Sequence, residues 1–523
     1  MHFLKAKIFK PELIFLGFLI ACGLLYDYHH IVFYKPVGIH QWRNCVSAAF
    51  PVNYSFGGSF LTTQTNAMLA ENATSDITVV EFPLIYYIVS LFYRIFGVHE
   101  FWFRMFQVVI GFIGLVYLFK ASYYFTRDWF YAGVIPLIIF TSPIYVFYLN
   151  NFIPDAAALS LTFAGFYFFM KYTSARRFRI WLLSMLFFLL AGLTKTSSLL
   201  PYLGLGGVAI IDLILRRKRS GEEPLFQFEF KYIASFIGVA VLIFGWYLYA
   251  RIYSDAHRGS VSAVEIRPIW KLTGETIQST LASMKLRFRK GDYHATFFLF
   301  LSVVVFLSTL IFYKKANRFL YRLNILVILG AVSFTLLFFR SMRNHDYYQI
   351  NNLFIFVIIY LAFFSIFSKA FPRVYNSIWA RLPFVLLVVF LVINCRNRVQ
   401  FRYSEDDAHY LSSMKVIEMF DIEDYLREIG IERTDKVYCT PDPSPNISLY
   451  LCDQKGRTDF GRVSRWTMEK RLEYMKGIQI EYVILGSREK YEDVENLDEL
   501  LGEKIGQIDG TEIFKLGDPD HGD

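Results

Sequence analysis

The chain has 523 residues, of which 55% are hydrophobic, 19% aromatic and only 19% charged, against about 25% charged in an ordinary soluble domain. This excludes a disordered chain, a collagen-like repeat and a disulfide-rich secreted scaffold, and argues against a soluble enzyme. The net charge of +9 comes from 54 Lys+Arg against 45 Asp+Glu. The basic residues cluster in short loops between apolar runs, a pattern that orients a membrane chain and does not suggest nucleic acid.

The first element is a short basic segment (Lys5, Lys7, Lys10) followed by an apolar run from Leu13 to Phe33. It lacks the small-residue cleavage site of a signal peptide and is read as an uncleaved first span. Further spans are predicted at 104–124, 129–148, 156–170, 179–194, 197–215, 232–250, 295–313, 320–339, 349–368 and 382–395, for about eleven crossings. The run Phe82–Phe96 decides the orientation. If it does not cross, Lys120/Arg127, Lys171/Arg176/Arg177/Arg179, Arg216–Arg219, Lys314/Lys315/Arg318/Arg322 and Lys369/Arg373/Arg381 all fall on the cytoplasmic side. If it crosses, they all fall outside, against the positive-inside rule. The run is therefore assigned to the outer interface, with the N-terminus inside and the C-terminus outside.

The expected organisation is a transmembrane domain over 1–398, with an outer loop at 35–103, and a soluble extracytoplasmic α/β domain over 399–523. In the latter, Lys436–Thr440, Glu481–Leu485 and Glu512–Lys515 read as strands, and 407–428 as an amphipathic helix. Cys439 and Cys452 share this tail, and their pairing stays open: a disulfide or two free thiols.

Polar residues at a membrane boundary need a reason to be there. Asp155, directly after Pro154 and before an apolar helix, is either a helix cap or a carboxylate at the outer mouth of the bundle. Glu81, between Val80 and Phe82, has the same two readings. Arg340, Arg343, His345, Asp346 and Tyr347 form a loop that could grip a phosphate, or that is merely solvated. His40, Trp42 and Arg43 open the outer loop, as interface anchors or as substrate contacts. Lys195 breaks the inside bias of the basic residues and is either a counter-ion to an anionic lipid or an ordinary boundary lysine. Asp27, His29 and His30 offer donor atoms without the spacing of a metal motif. No phosphate-binding glycine loop, zinc-protease helix or nucleophile elbow is present.

The order of these features resembles a known group. A first span precedes a polar outer loop. Glu81-Phe82-Pro83-Leu84-Ile85-Tyr86-Tyr87 opens an interfacial helix, and Phe96, Gly97, Phe101 and Arg104 follow. Thr141-Ser142-Pro143 and Pro154-Asp155 come later. This resembles the GT-C membrane glycosyltransferases, in the branch containing protein O-mannosyltransferases and the lipid A aminoarabinose transferase, and most of all bacterial members of the Bacteroidetes type. The resemblance implies an α-helical polytopic GT-C-like fold in a bacterial inner membrane, with the C-terminal domain in the periplasm. It implies sugar transfer from a polyprenyl-phosphate donor to a glycolipid, glycan or protein acceptor on the outer face. Asp155 and Glu81 are then the acidic candidates. Lys195, Arg43 and Arg343 are the phosphate-binding ones. A divalent metal stays open. Family members carry an aspartate a few residues after a Trp-Arg pair, but Asn44-Cys45-Val46-Ser47 holds no acid here, which leaves Glu71, Asp76 or Glu81 to replace it. A transporter or flippase for lipid-linked sugars and a non-catalytic envelope scaffold are the competing readings.

Overall fold

The computed structural model describes residues 10–65, 77–79, 81–216, 226–257 and 266–516. Lys5, Lys7, Glu71, Asp76 and the basic residues 217–219 lie outside them. Every predicted span position carries helix. Among the described residues, six helices are long and apolar enough to cross a membrane: Glu100–Thr126, Thr196–Leu215, Phe230–Ala256, Arg318–Leu337, Asp346–Ala370 and Ile378–Arg402. Shorter apolar helices occupy Pro11–Leu25, Leu84–Phe96, Phe178–Thr194 and Thr296–Ile311.

The run predicted as one span at 129–148 is broken. Helices Trp129–Phe140 and Pro143–Leu149 meet at 73°. The cause is local: Pro143 occupies the first turn of the second helix and has no N–H to continue the first. The Leu84–Phe96 helix has 13 residues, about 20 Å of rise, too short to cross a hydrocarbon core of about 30 Å. It buries Ile85, Tyr86, Val89, Ser90 and Tyr93 and turns Leu91, Ile95 and Phe96 outward. An outward apolar stripe is what a helix lying in a membrane interface presents.

The chain divides into two compact units. One comprises Met1–Phe33, Arg104–Trp246 and Val264–Gln400. Helices Asp155–Ala175 and Phe178–Thr194 form an antiparallel hairpin in it, joined by a short basic turn. The packing is close: a Cβ on Gly165 would lie 3.1 Å from the Phe188 ring.

The other unit comprises Tyr34–Phe103, Tyr247–Ala263 and Phe401–Asp523. Its sheet has strands β1 (Lys436–Thr440), β2 (Lys455–Thr458), β3 (Tyr482–Leu485), β4 (Glu503–Ile508) and β5 (Thr511–Lys515), in the order β2-β1-β3-β5-β4. β1 pairs in parallel with β2 and β3, and β5 is antiparallel to both its neighbours. Successive side chains alternate between two cores: Tyr438, Val483, Leu485 and Phe514 on one face, Val437, Cys439, Ile484 and Ile513 on the other. Cys439 and Cys452 are both buried free thiols, and the Cys452 Sγ donates to the Phe420 carbonyl at 3.2 Å.

The portion that carries the sheet is fastened to the Tyr34–Phe103 stretch of the same unit. Lys35 pairs with Asp421. Arg433 donates to Asn53 Oδ1 at 2.9 Å, and Tyr450 Oη to Glu100 Oε1 at 3.2 Å. The Asn446 amide lies across the start of helix Gln41–Ser55; with its oxygen and nitrogen assigned to suit the groups they face, it donates to the Trp42 carbonyl at 3.1 Å and accepts from the Val46 N–H at 3.0 Å.

Candidate active site

The candidate residues fall into two clusters, one in each unit. In the first, Asp155 opens helix Asp155–Ala175 and is fully buried. It is not a cap: Pro154 holds that position and no side-chain cap bond forms. The chain runs down one leg of the hairpin and back up the other. This returns Lys195, just past the end of helix Phe178–Thr194, to the level of Asp155, with Nζ 3.3 Å from Oδ2. Lys195 has an extended backbone (φ −158°, ψ 119°), so its side chain leaves the helical path.

The ammonium also lies over two rings, 5.3 Å from the centre of Tyr347 and 5.1 Å from that of Tyr348. Both tyrosines are buried in the short turn Asp346–Gln349. Asp346, 1% exposed, accepts from Tyr148 Oη at 2.5 Å. Tyr347 Oη and His345 Nδ1 share a hydrogen bond at 3.1 Å. Arg340 and Arg343 are exposed, and it is the Arg343 carbonyl that Arg287 and Ser283 hold, at 3.0 and 2.8 Å. A buried carboxylate, an ammonium, a second carboxylate and a tyrosine wall thus meet in one place.

Upstream of Asp155, Arg104 donates to the Asn150 carbonyl and Gln107 to the Asn151 carbonyl at 2.6 Å. The Asn150 side chain is buried, with neither its nitrogen nor its oxygen hydrogen-bonded within the described protein. Buried amides are almost always paired, so this one has capacity for a ligand.

The second cluster lies where helices Gln41–Ser55 and Leu84–Phe96 pack together. His40, half-buried, precedes the first of these helices with φ at 64°. Trp42 is half-buried and Arg43 is buried. Arg43 pairs with Glu81 and donates to Ser47 Oγ at 2.9 Å. Tyr86 Oη donates to the other Glu81 oxygen at 3.3 Å. Glu81, like Asp155, is no cap: Pro83 holds that place. Asn44, on the next position of the helix, is fully buried with both side-chain atoms lacking a partner among the described residues.

Sequence reading did not single out Tyr148, Ser47 or Tyr86. Tyr148 and Tyr86 sit in apolar helices where a hydroxyl reads as a membrane-belt feature, and Ser47 is a small residue inside a helix of mixed polarity. The one group among the described residues with three donors close enough for a metal is Asp27, His29 and His30, within 4.8 Å of one another.

Residues 80–246, which contain Glu81, Asp155 and Lys195 but not Arg43 or Asp346, match the dolichyl-phosphate-mannose-protein mannosyltransferase family. No curated protein sequence matches the chain. Solved structures do resemble it. ArnT from Cupriavidus metallidurans in the apo state is 12% identical with a TM-score of 0.56, over 97% of this chain and 99% of that one. The same protein bound to undecaprenyl phosphate is 13% identical with a TM-score of 0.58, over 96% and 98%. The arabinofuranosyltransferase AftD from Mycobacteria is 12% identical with a TM-score of 0.54, over all of this chain and 41% of that one. At such identities the likeness is one of fold: a multi-pass GT-C architecture of the ArnT type with a small C-terminal β-sheet domain.

Proposed function

We propose that the protein is a glycosyltransferase that moves a sugar from a polyprenyl-phosphate donor to a hydroxyl of an envelope glycolipid, glycan or protein, at the outer face of a bacterial inner membrane. The observation that carries this reading is the buried Asp155–Lys195 pair against Tyr347 and Tyr348. The shared fold with a protein crystallised with undecaprenyl phosphate supports the donor class.

In such a transfer the acceptor oxygen attacks the anomeric carbon as the sugar–phosphate bond breaks, with inversion. A carboxylate takes the acceptor proton, and a cation holds the charge that grows on the departing phosphate. Asp155 is the base in this scheme. Lys195 has three N–H donors, enough to orient Asp155 and hold a phosphate oxygen together. The tyrosine rings exclude water around both and give the sugar an apolar face to lie on. Asn150 supplies a donor and an acceptor for sugar hydroxyls. Glu81, gripped by Arg43 and Tyr86, is the second acidic candidate. Its oxygens are already engaged, which suits fixing a substrate hydroxyl better than removing a proton.

The test is transfer by purified protein in detergent, with a panel of polyprenyl-phosphate sugars and an envelope glycolipid extract, with and without a chelator. Asp155→Asn and Lys195→Met should abolish transfer while lipid phosphate still binds to Asp155→Asn. A fully active Asp155→Asn would remove Asp155 as the base. Donor binding with no sugar released from any member of the panel would favour a carrier or scaffold.

A further inference from the structure

Helices Pro11–Leu25 and Glu100–Thr126 run antiparallel but apart. Phe15 stacks on Phe119 at 4.8 Å, while a Cβ on Gly23 would sit 3.4 Å from Phe112. One helix thus climbs as the other descends. Between them lies a groove of about 640 Å³, walled by Leu16, Ile20 and Leu24 on one side and Val109, Ile113 and Val116 on the other. That volume falls in the range of roughly 300–1,000 Å³ typical of ligand clefts. From Met105 to Lys120 it follows about 22 Å of helix, so it lies along the hydrocarbon core and not across an end of it.

Almost the whole wall is hydrocarbon, and the polar groups sit at its ends. Lys120 closes the end beside Leu16. Its ammonium lies 5.3 Å from the Tyr167 ring and 6.0 Å from the Tyr117 ring, and it makes no ion pair among the described residues. The aromatic rings fix the position of the cation without neutralising it. The groove therefore has a tail-binding trough and, at the end beside Leu16, a cation that is in no ion pair among the described residues.

We propose that this groove is a binding site for an anionic phospholipid, with one acyl chain in the trough and the headgroup phosphate on Lys120. The site is built from residues apart from both candidate clusters, and it does not depend on the transfer reaction. Charge complementarity selects the occupant: a negatively charged headgroup gains from Lys120, whereas a zwitterionic one brings a cation of its own to the same place.

Native mass spectrometry of the full chain in detergent, with phosphatidylglycerol and phosphatidylcholine supplied in equal amounts, tests this. Phosphatidylglycerol should be retained with a preference of roughly fivefold, the factor expected of one basic side chain at a membrane surface. Lys120→Gln should remove the preference and Lys120→Arg should keep it. Ile113→Trp, which fills the trough, should release both lipids. Equal retention of the two lipids by the unaltered protein, or a preference that survives Lys120→Gln, would overturn the proposal. So would polyprenyl phosphate that displaces phosphatidylglycerol from the unaltered protein and is itself no longer retained by Ile113→Trp, which would reassign the groove to the carrier lipid.

Discussion

Lys195 lies 3.3 Å from Asp155 because a helical hairpin with legs of 21 and 17 residues brings the chain back to where it started. The pair is shielded, with Asp155 at 0% and Lys195 at 13% side-chain exposure. Removing one member of a buried pair strands the other and costs about 3–5 kcal/mol. Lys195→Met is therefore expected to lower the melting temperature more than the double variant Asp155→Asn/Lys195→Met does. A thermal-shift double-mutant cycle reads this directly. Purely additive losses would show that the two charges do not depend on each other.

Arg43 and Glu81 make the analogous pair in the other unit, with a different geometry. The guanidinium reaches Glu81 and Ser47 at once, which a point-charge ammonium cannot reproduce. Arg43→Lys should lose about 1–2 kcal/mol of stability and most transfer activity. Arg43→Met should lose more stability, since it takes the guanidinium away from a carboxylate that stays buried. Denaturant titration alongside the transfer assay separates the two effects.

Asn446 connects the C-terminal domain to this pair. Asp442, whose carboxyl burial pushes above the ordinary aspartate range, accepts from the Ser444 N–H at 2.8 Å and from the Ser448 N–H at 2.9 Å. Ser444 Oγ in turn holds the Asn446 N–H at 3.3 Å, and the Asn446 amide holds the turn that bears Arg43. Asn446→Ala should cost about 1–2 kcal/mol and speed amide exchange in residues 41–47 selectively. Exchange that rises evenly over the whole chain would mean general destabilisation instead.

Acid should weaken the sheet through Glu512. Burial alone would raise its carboxyl, but hydrogen bonds from Lys504 at 2.5 Å and Arg488 at 2.7 Å win and hold it below the usual glutamate range. A carboxyl depressed by folding contributes stability above its unfolded value of about 4.3 and loses it as the pH falls through the folded one. Both cations are 40% exposed, so the contribution is about 1 kcal/mol. Exchange protection of β5 should fall as the pH drops below about 4.3, and Glu512→Gln should flatten that dependence.

The sequence revealed what repeats along it and hid what distant segments build together. Helix positions followed from apolar length. Among the strands, β1, β3 and β5 were legible because they are the central three of the sheet, with apolar side chains on both faces. The two that escaped, β2 (Lys-Gly-Arg-Thr) and β4 (Glu-Lys-Ile-Gly-Gln-Ile), are its edges, where charge is tolerated and protects against pairing with other chains. In the candidate clusters the charged residues stood out singly. Their pairing did not, because Asp155 with Lys195 and Arg43 with Glu81 are joined by a hairpin and a loop closure that no local pattern encodes.

The unit that holds Arg43 and Glu81 is assembled from three stretches, the first ending at Phe103 and the last beginning at Phe401. During synthesis at about 5–20 residues per second, the early stretch reaches its compartment on the order of tens of seconds before the strands that complete the unit exist. Helix Gln41–Ser55 waits through that interval without Asn446 on its first turn. Translation speed over the intervening spans, and the chaperones and proteases that meet the waiting segment, thereby become part of how much finished protein a cell obtains.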